Sequence, residues 1–168
     1  AETHDQAKKA ALLVQAKIEE LEAVVTVEQA LEKKSFLDDP IVVSTGDSQT
    51  AIKKAKNTLN GSLSIGGQEH YYLEGQVAIS IPTEDNEMVV HSSTQNPTEV
   101  QHLVAHVLDV PQNAIEVVTR RMGGGFGGKE TDSSQLACIC AIFSKRTLRP
   151  VKARLSRKDD ILLTGKRH

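Results

Sequence analysis

The chain has 168 residues, room for one ordinary domain or for a small domain with part of another. Hydrophobic residues make up 39% and charged residues 25%, an ordinary globular balance, while aromatics are only 3%, so a core has to be built from Val, Ile, Leu and Ala. The formal net charge of -2 gives no reason to expect nucleic acid or an anionic membrane as partner, and the longest apolar runs fall well short of a bilayer span.

Residues 5–16, DQAKKAALLVQA, read as an amphipathic helix with Ala7, Ala10, Ala11 and Val14 on one face. A strand is expected over 17–25. TVEQ then opens a short helix, with Thr26 as cap and Gln29 at the reciprocal position three residues on. DDP breaks the chain before the β-rich IVVST, and GDSQTAIKKAKNTL returns to helix with Asp47 or Ser48 as cap.

The pattern changes near residue 60. Tyr72, Val77, Ile79 and Ile81 alternate as a strand does, and EMVVHSS is a second strand. NPTE starts a helix: Asn96 caps, Pro97 suits the first turn, and Glu99 is placed to reach back. Val100, Leu103, Val104, Val107 and Leu108 follow at helical spacing. AIEVVTRR is a strand, TDSSQLACICAIFSKR a helix with Leu136, Ile139, Cys140 and Phe143 on one face, and RPVKARLS a strand. The stretch 86–156 is therefore β-α-β-loop-α-β in a mixed α+β chain.

The loop is RMGGGFGGKET. Five glycines around Phe126 leave backbone N–H groups open before a helix, beside the positive end of its dipole. Gly123, Gly125 and Gly128 fit G-x-G-x-x-G, and Gly128–Lys129 resembles the end of a Walker loop. Both nucleotide readings fail on chemistry. Glu130 replaces the hydroxyl that would hold magnesium, and the next strand, PVKARL, is basic where a ribose-binding acid is needed. Neither reading explains Phe126. A glutamate beside exposed backbone suits a neutral, hydrogen-bonding ligand instead.

The remaining chemistry-bearing residues are read as structural. Cys138 and Cys140 point apart on a helix and are small packing residues. His102 and His106 have metal-ligand spacing without a third ligand. His70 is expected to satisfy a local hydrogen bond, and Glu69 and Glu74 to serve the same local structure. SRKDD is expected to be an exposed capped turn. Lys129 is read either as a phosphate contact or as a solvated side chain.

Four stretches, GGQEHYYLEGQ, SSTQNPTEVQHLVAH, RRMGGGFGGKE and RPVKARLSRKDDILLTGKRH, resemble in order the molybdenum-binding part of the xanthine dehydrogenase family of molybdenum hydroxylases. The wording is nearest to the bacterial type. The resemblance implies the C-terminal part of an α/β hammerhead domain over residues 1–60. It implies the first part of a molybdopterin-binding domain over 61–168. It implies that Gln68 hydrogen-bonds an oxo group of the molybdenum centre. Gly125, Phe126 and Gly127 would bind the cofactor, with Phe126 and Gly127 offering backbone N–H groups, and Glu130 would bind a purine. The family's catalytic base and a substrate-binding arginine would lie beyond residue 168, so no catalytic residue is expected within 1–168. Iron–sulfur clusters and FAD would sit on other domains or subunits of an oligomeric, cytoplasmic parent. The start at Ala1 and the stop after ILLTGKRH read as a piece of such a parent. The alternatives are an aldehyde-oxidising relative, a nucleotide-binding module and a non-catalytic interaction module.

Overall fold

The computed structural model describes residues 1–167. It divides the chain into two compact units, Ala1–Asn60 and Gly61–His168.

The first unit contains three short helices: α1 (His4–Ala11), α2 (Val27–Glu32) and α3 (Ser48–Lys54). Each begins on a side-chain cap. Thr3 with Gln6 and Thr26 with Gln29 form reciprocal capping boxes, and Asp47 accepts from Thr50 N–H at 3.0 Å. None of the three buries a residue. The helix expected over 5–16 ends at Ala11, because Leu12, Leu13 and Val14 beyond it stay exposed and gain nothing from further turns. The strands expected at 17–25 and 41–45 do not form: Val42 and Val43 are exposed, and no neighbouring strand accepts their backbone hydrogen bonds.

The second unit is a sheet backed by helices. Strands β1 (Val77–Pro82), β2 (Met88–Ser92), β3 (Ile115–Val118) and β4 (Val151–Arg154) lie in the order β3-β2-β1-β4. β1 pairs antiparallel with β2 and β4, while β2 and β3 run parallel and are joined through α4 (Pro97–Leu108). The helix α5 (Asp132–Thr147) follows the glycine loop, and α6 (Arg157–Leu163) follows β4. The order β2-α4-β3-loop-α5-β4 matches the expected one.

Packing departs from the simple patterns in an instructive way. In β1 the large residues Val77, Ile79 and Ile81 are only half-buried, whereas the small Ala78 and Ser80 between them are fully buried. Small residues meet small residues there. The inner face of α5 is Ser133, Ala137, Cys140, Ala141 and Ser144, with Cys140 Sγ 3.6 Å from Ala78 O and Ser144 Oγ donating to Ser80 O at 3.2 Å. Of the predicted face, Leu136 and Cys140 are buried but Ile139 and Phe143 point outward, since a bulky stripe would hold helix and sheet apart. In α4, Val100, Val104 and Leu108 enter the core, and Leu103 and Val107 lie at its outer edge. Asn96 caps α4 through Glu99 N–H at 3.1 Å, and Lys145 Nζ donates to Leu108 O at its other end.

Candidate functional site

The glycine loop leaves β3 and returns at the start of α5, and it is held from beneath at both ends. At its start, Gly123 N–H donates to Glu74 Oε2 at 2.8 Å, and Gly123 O accepts from Glu74 N–H. At its far end, Gln95 Oε1 accepts from Gly127 N–H at 2.9 Å and Lys129 N–H at 3.3 Å, while Gln95 N–H donates to Lys129 O at 2.8 Å. Two glycines show why side chains are excluded. A Cβ on Gly125 would lie 2.4 Å from Gln95 Oε1, and one on Gly128 would lie 2.8 Å from both the His70 ring and Tyr72. Phe126 is the tip: it is 70% exposed and takes a φ of +54°, a conformation costing roughly 1–2 kcal/mol for a residue with a Cβ.

Beneath the loop sits a polar cluster that is more buried than the sequence suggested. Lys129 is fully buried, neither solvated nor aimed at a ligand. Its ammonium donates to Glu74 O at 2.6 Å and Ser93 Oγ at 2.8 Å, lies 3.4 Å from Glu74 Oε2, and stands 4.5 Å from the centre of the Tyr72 ring. Asp160 is also buried, not in an exposed turn: SRKDD forms the first turn of α6, capped by Ser156. Asp160 accepts from Tyr72 Oη at 2.7 Å and Gln76 N–H at 2.8 Å, and Gln76 Nε2 donates to Gly128 O at 3.0 Å. The loop thus rests on a continuous network from α6 to β1 and the end of β2.

The titrations follow from that burial. Burial pushes the Lys129 ammonium below its usual value, and Glu74 offsets only part of this. Burial alone would raise the Glu74 carboxyl, but the Gly123 N–H, the Ser93 hydroxyl and Lys129 outweigh it and hold it low. Burial, then the Asp160 hydrogen bond, pushes the Tyr72 phenol up to about 12, so it stays a neutral donor. Burial raises both thiols, Cys138 and Cys140, as befits packing residues.

The expected site residues lie in two segments, Gln68 before β1 and Gly125 to Glu130 in the glycine loop. Gln68 is exposed, and its backbone bridges Arg167 in both directions at 2.8 and 2.7 Å. Two residues on, His70 packs against Gly128; its Nδ1 is buried without a partner, contrary to the local hydrogen bond expected of it. Glu69 pairs with Lys166 at 3.1 Å. Gly125 is buried, whereas Gly127 and Glu130 are exposed. The Gly127 N–H is taken by Gln95, whereas the Phe126 N–H, at the exposed tip, is unpartnered among the described residues. Sequence reasoning missed Gln95, Ser93 and Asp160, whose partners lie tens of residues away. Also among the described residues, no group of three or more His, Cys, Asp or Glu could hold a metal ion, and no helix is long and apolar enough to cross a membrane.

Residues 31–168 match the family described as the molybdopterin cofactor-binding domain. The chain belongs to that family. It is 44% identical to the xanthine dehydrogenase of Emericella nidulans over 100% of its own length and 12% of that relative's. It is 42% identical to aldehyde oxidase 4 of Cavia porcellus, over 100% of its length and 13% of that relative's. The aldehyde oxidoreductase from Desulfovibrio gigas superposes on 99% of the chain and 19% of that structure, with a TM-score of 0.83 and 25% identity. The chain therefore spans about one eighth of the curated relatives it matches.

A molybdopterin cofactor fits what the loop offers. Its surface presents bare backbone at Gly127 and, at Phe126, an N–H without a partner among the described residues. Neutral donors of this kind suit a metal that arrives inside its own organic ligand, with the protein contributing orientation and hydrogen bonds.

Proposed function

We propose that the chain forms the cofactor-facing part of a xanthine dehydrogenase-type hydroxylase, of bacterial type, acting on a purine. The observation that carries this reading is the loop tip, where Phe126 is exposed and its N–H has no partner among the described residues, with Glu130 exposed four residues on. When bound, the molybdenum cofactor supplies the two-electron oxidation that introduces a water-derived oxygen into the substrate. The chain's own groups hold and orient. Phe126 N–H and the Gln68 amide would be neutral donors toward the metal centre, and their hydrogen bonds would strengthen as negative charge develops there. Gly125 keeps the loop close to Gln95, and Gly127 offers a surface free of side chain to the cofactor. Glu130, exposed and making no hydrogen bond among the described residues, is available to a purine edge in either protonation state. In this proposal residues 1–60 end a hammerhead domain, residues 61–168 begin the cofactor-binding domain, and electrons leave through iron–sulfur and FAD partners in a cytoplasmic, oligomeric parent.

Aldehyde oxidation is the second reading, favoured by the near-equal identity to an aldehyde oxidase. The two separate at Glu130. In the full-length enzyme, Glu130→Ala should lower kcat/KM for a purine by about 10²-fold or more, the scale expected when a site built to hydrogen-bond its substrate loses that partner, while aldehyde turnover changes little. Equal losses on both substrates would reject the purine assignment.

A further inference from the structure

We infer that Gln95 is a positioning residue for the cofactor-facing loop: by taking the Gly127 N–H, it leaves the adjacent Phe126 N–H as the free donor at the exposed tip and fixes its direction. The inference rests on the molybdenum reading above, and it concerns a residue to which that reading gives no role.

Three observations carry it. First, one side-chain oxygen accepts from two backbone N–H groups, Gly127 at 2.9 Å and Lys129 at 3.3 Å, while the same residue's N–H donates to Lys129 O at 2.8 Å. A three-bond clasp of this kind fixes both the position and the tilt of the intervening peptide planes. Second, the clasp is sterically closed. Gly125 approaches so near that an added Cβ would sit 2.4, 2.6 and 2.8 Å from Gln95 Oε1, Cδ and Cγ. A side chain at Gly125 would therefore displace the glutamine amide from this seat. Third, the unfavourable φ of +54° at Phe126 lies between those two contacts. A strained residue persists only where its surroundings over-determine it, and here the determinants follow directly in the chain: Gln95 on the Gly127 and Lys129 N–H groups and Gln76 on the Gly128 carbonyl.

The arrangement has a chemical logic. Two adjacent free N–H groups would make a wider, less directional cradle able to accept water or a second acceptor. With the Gly127 N–H consumed internally, the Phe126 N–H is the one donor left of that adjacent pair among the described residues, and its direction is inherited from the clasp. Lys129 extends the same control downward: its backbone is clasped by Gln95, the Thr94 and Ser133 hydroxyls both donate to its carbonyl, and its ammonium is locked against Glu74 and Ser93. Gln95 is itself exposed, so replacing it should leave the core intact.

The test compares Gln95→Met, which keeps length and removes the acceptor, with Gln95→Glu, which keeps an acceptor oxygen. In the 168-residue chain, amide hydrogen exchange at Gly127 should accelerate about tenfold in Gln95→Met and stay within about threefold in Gln95→Glu, the scale of one lost hydrogen bond. In the full-length enzyme, Gln95→Met should retain molybdenum by elemental analysis, shift the paramagnetic-resonance signature of the metal centre, and lower kcat about tenfold with KM little changed. Gly125→Ala should reproduce these effects from the opposite side, and adding it to Gln95→Met should be markedly non-additive. Unchanged Gly127 exchange in Gln95→Met overturns the inference. So does accelerated exchange with an unaltered metal signature and kcat. An enzyme that holds no molybdenum even with native Gln95 would instead remove the functional reading, and Gly127 exchange alone would then decide whether Gln95 sets the loop.

Discussion

Residues 1–60 and 61–168 use the same local grammar and reach different ends. Both start helices on side-chain caps: Thr3, Thr26 and Asp47 in the first unit, Asn96 and Ser156 in the second. In the second unit the capped α4 and the uncapped α5 press on a four-stranded sheet and bury Val90, Val100, Val104, Ile115 and Ala137. In the first unit no helix buries anything, and Leu37, Val43 and Leu59 are almost wholly exposed. Caps decide where a helix starts; what it leans on decides how firmly it is held. A functional loop needs the second kind of support, and the glycine loop has it.

The comparison breaks most sharply in the core. Val104→Ala should lower unfolding free energy by about 2 kcal/mol, whereas Val43→Ala, 92% exposed, should stay within about 0.5 kcal/mol. Urea titration followed by circular dichroism reads both. Equal losses would mean that the first unit hides a core of its own.

A smaller effect sharpens the role of the cluster beneath the loop. The folded-state Glu74 carboxyl titrates below its ordinary 4.5, so its stabilising contribution is complete above that value and disappears as pH falls through the lowered folded value. Urea midpoints measured from pH 6 down to pH 3 should therefore fall less steeply in Glu74→Gln than in the native chain. An identical acid limb would show that Glu74 does not anchor Gly123 in solution.

What was legible in the sequence was local. Thr26, Asp47 and Asn96 announce their helices because cap and first turn are neighbours in the chain, although Glu99 supplies only its N–H to Asn96. The glycine loop was visible because five glycines in six positions demand close approach. The strands at 17–25 and 41–45 were misread because a strand is a pairing, and the sequence of one segment does not contain its partner. Lys129 was misread for a related reason: its partners Ser93 and Glu74 lie 36 and 55 residues away, so only the fold reveals that the ammonium is enclosed. Asp160 hid in a run of charges for the same cause, its Tyr72 contact spanning 88 residues. Gln68, Phe126 and Glu130 were singled out by resemblance. The structure adds that the Phe126 N–H has no partner among the described residues and that its neighbour's is taken by Gln95.

Residue-resolved amide hydrogen exchange on the whole chain tests the central claim most directly, namely that one unit supports a pinned loop on a closed core while the other does not. The account predicts strong protection in β1, β2, α4 and α5, clear protection at Gly123 and Gly127, fast exchange at Phe126, and near-coil rates across residues 1–60. Protection at Phe126 equal to that at Gly127, or protection over 17–25 and 41–45 matching that of β1, would contradict it.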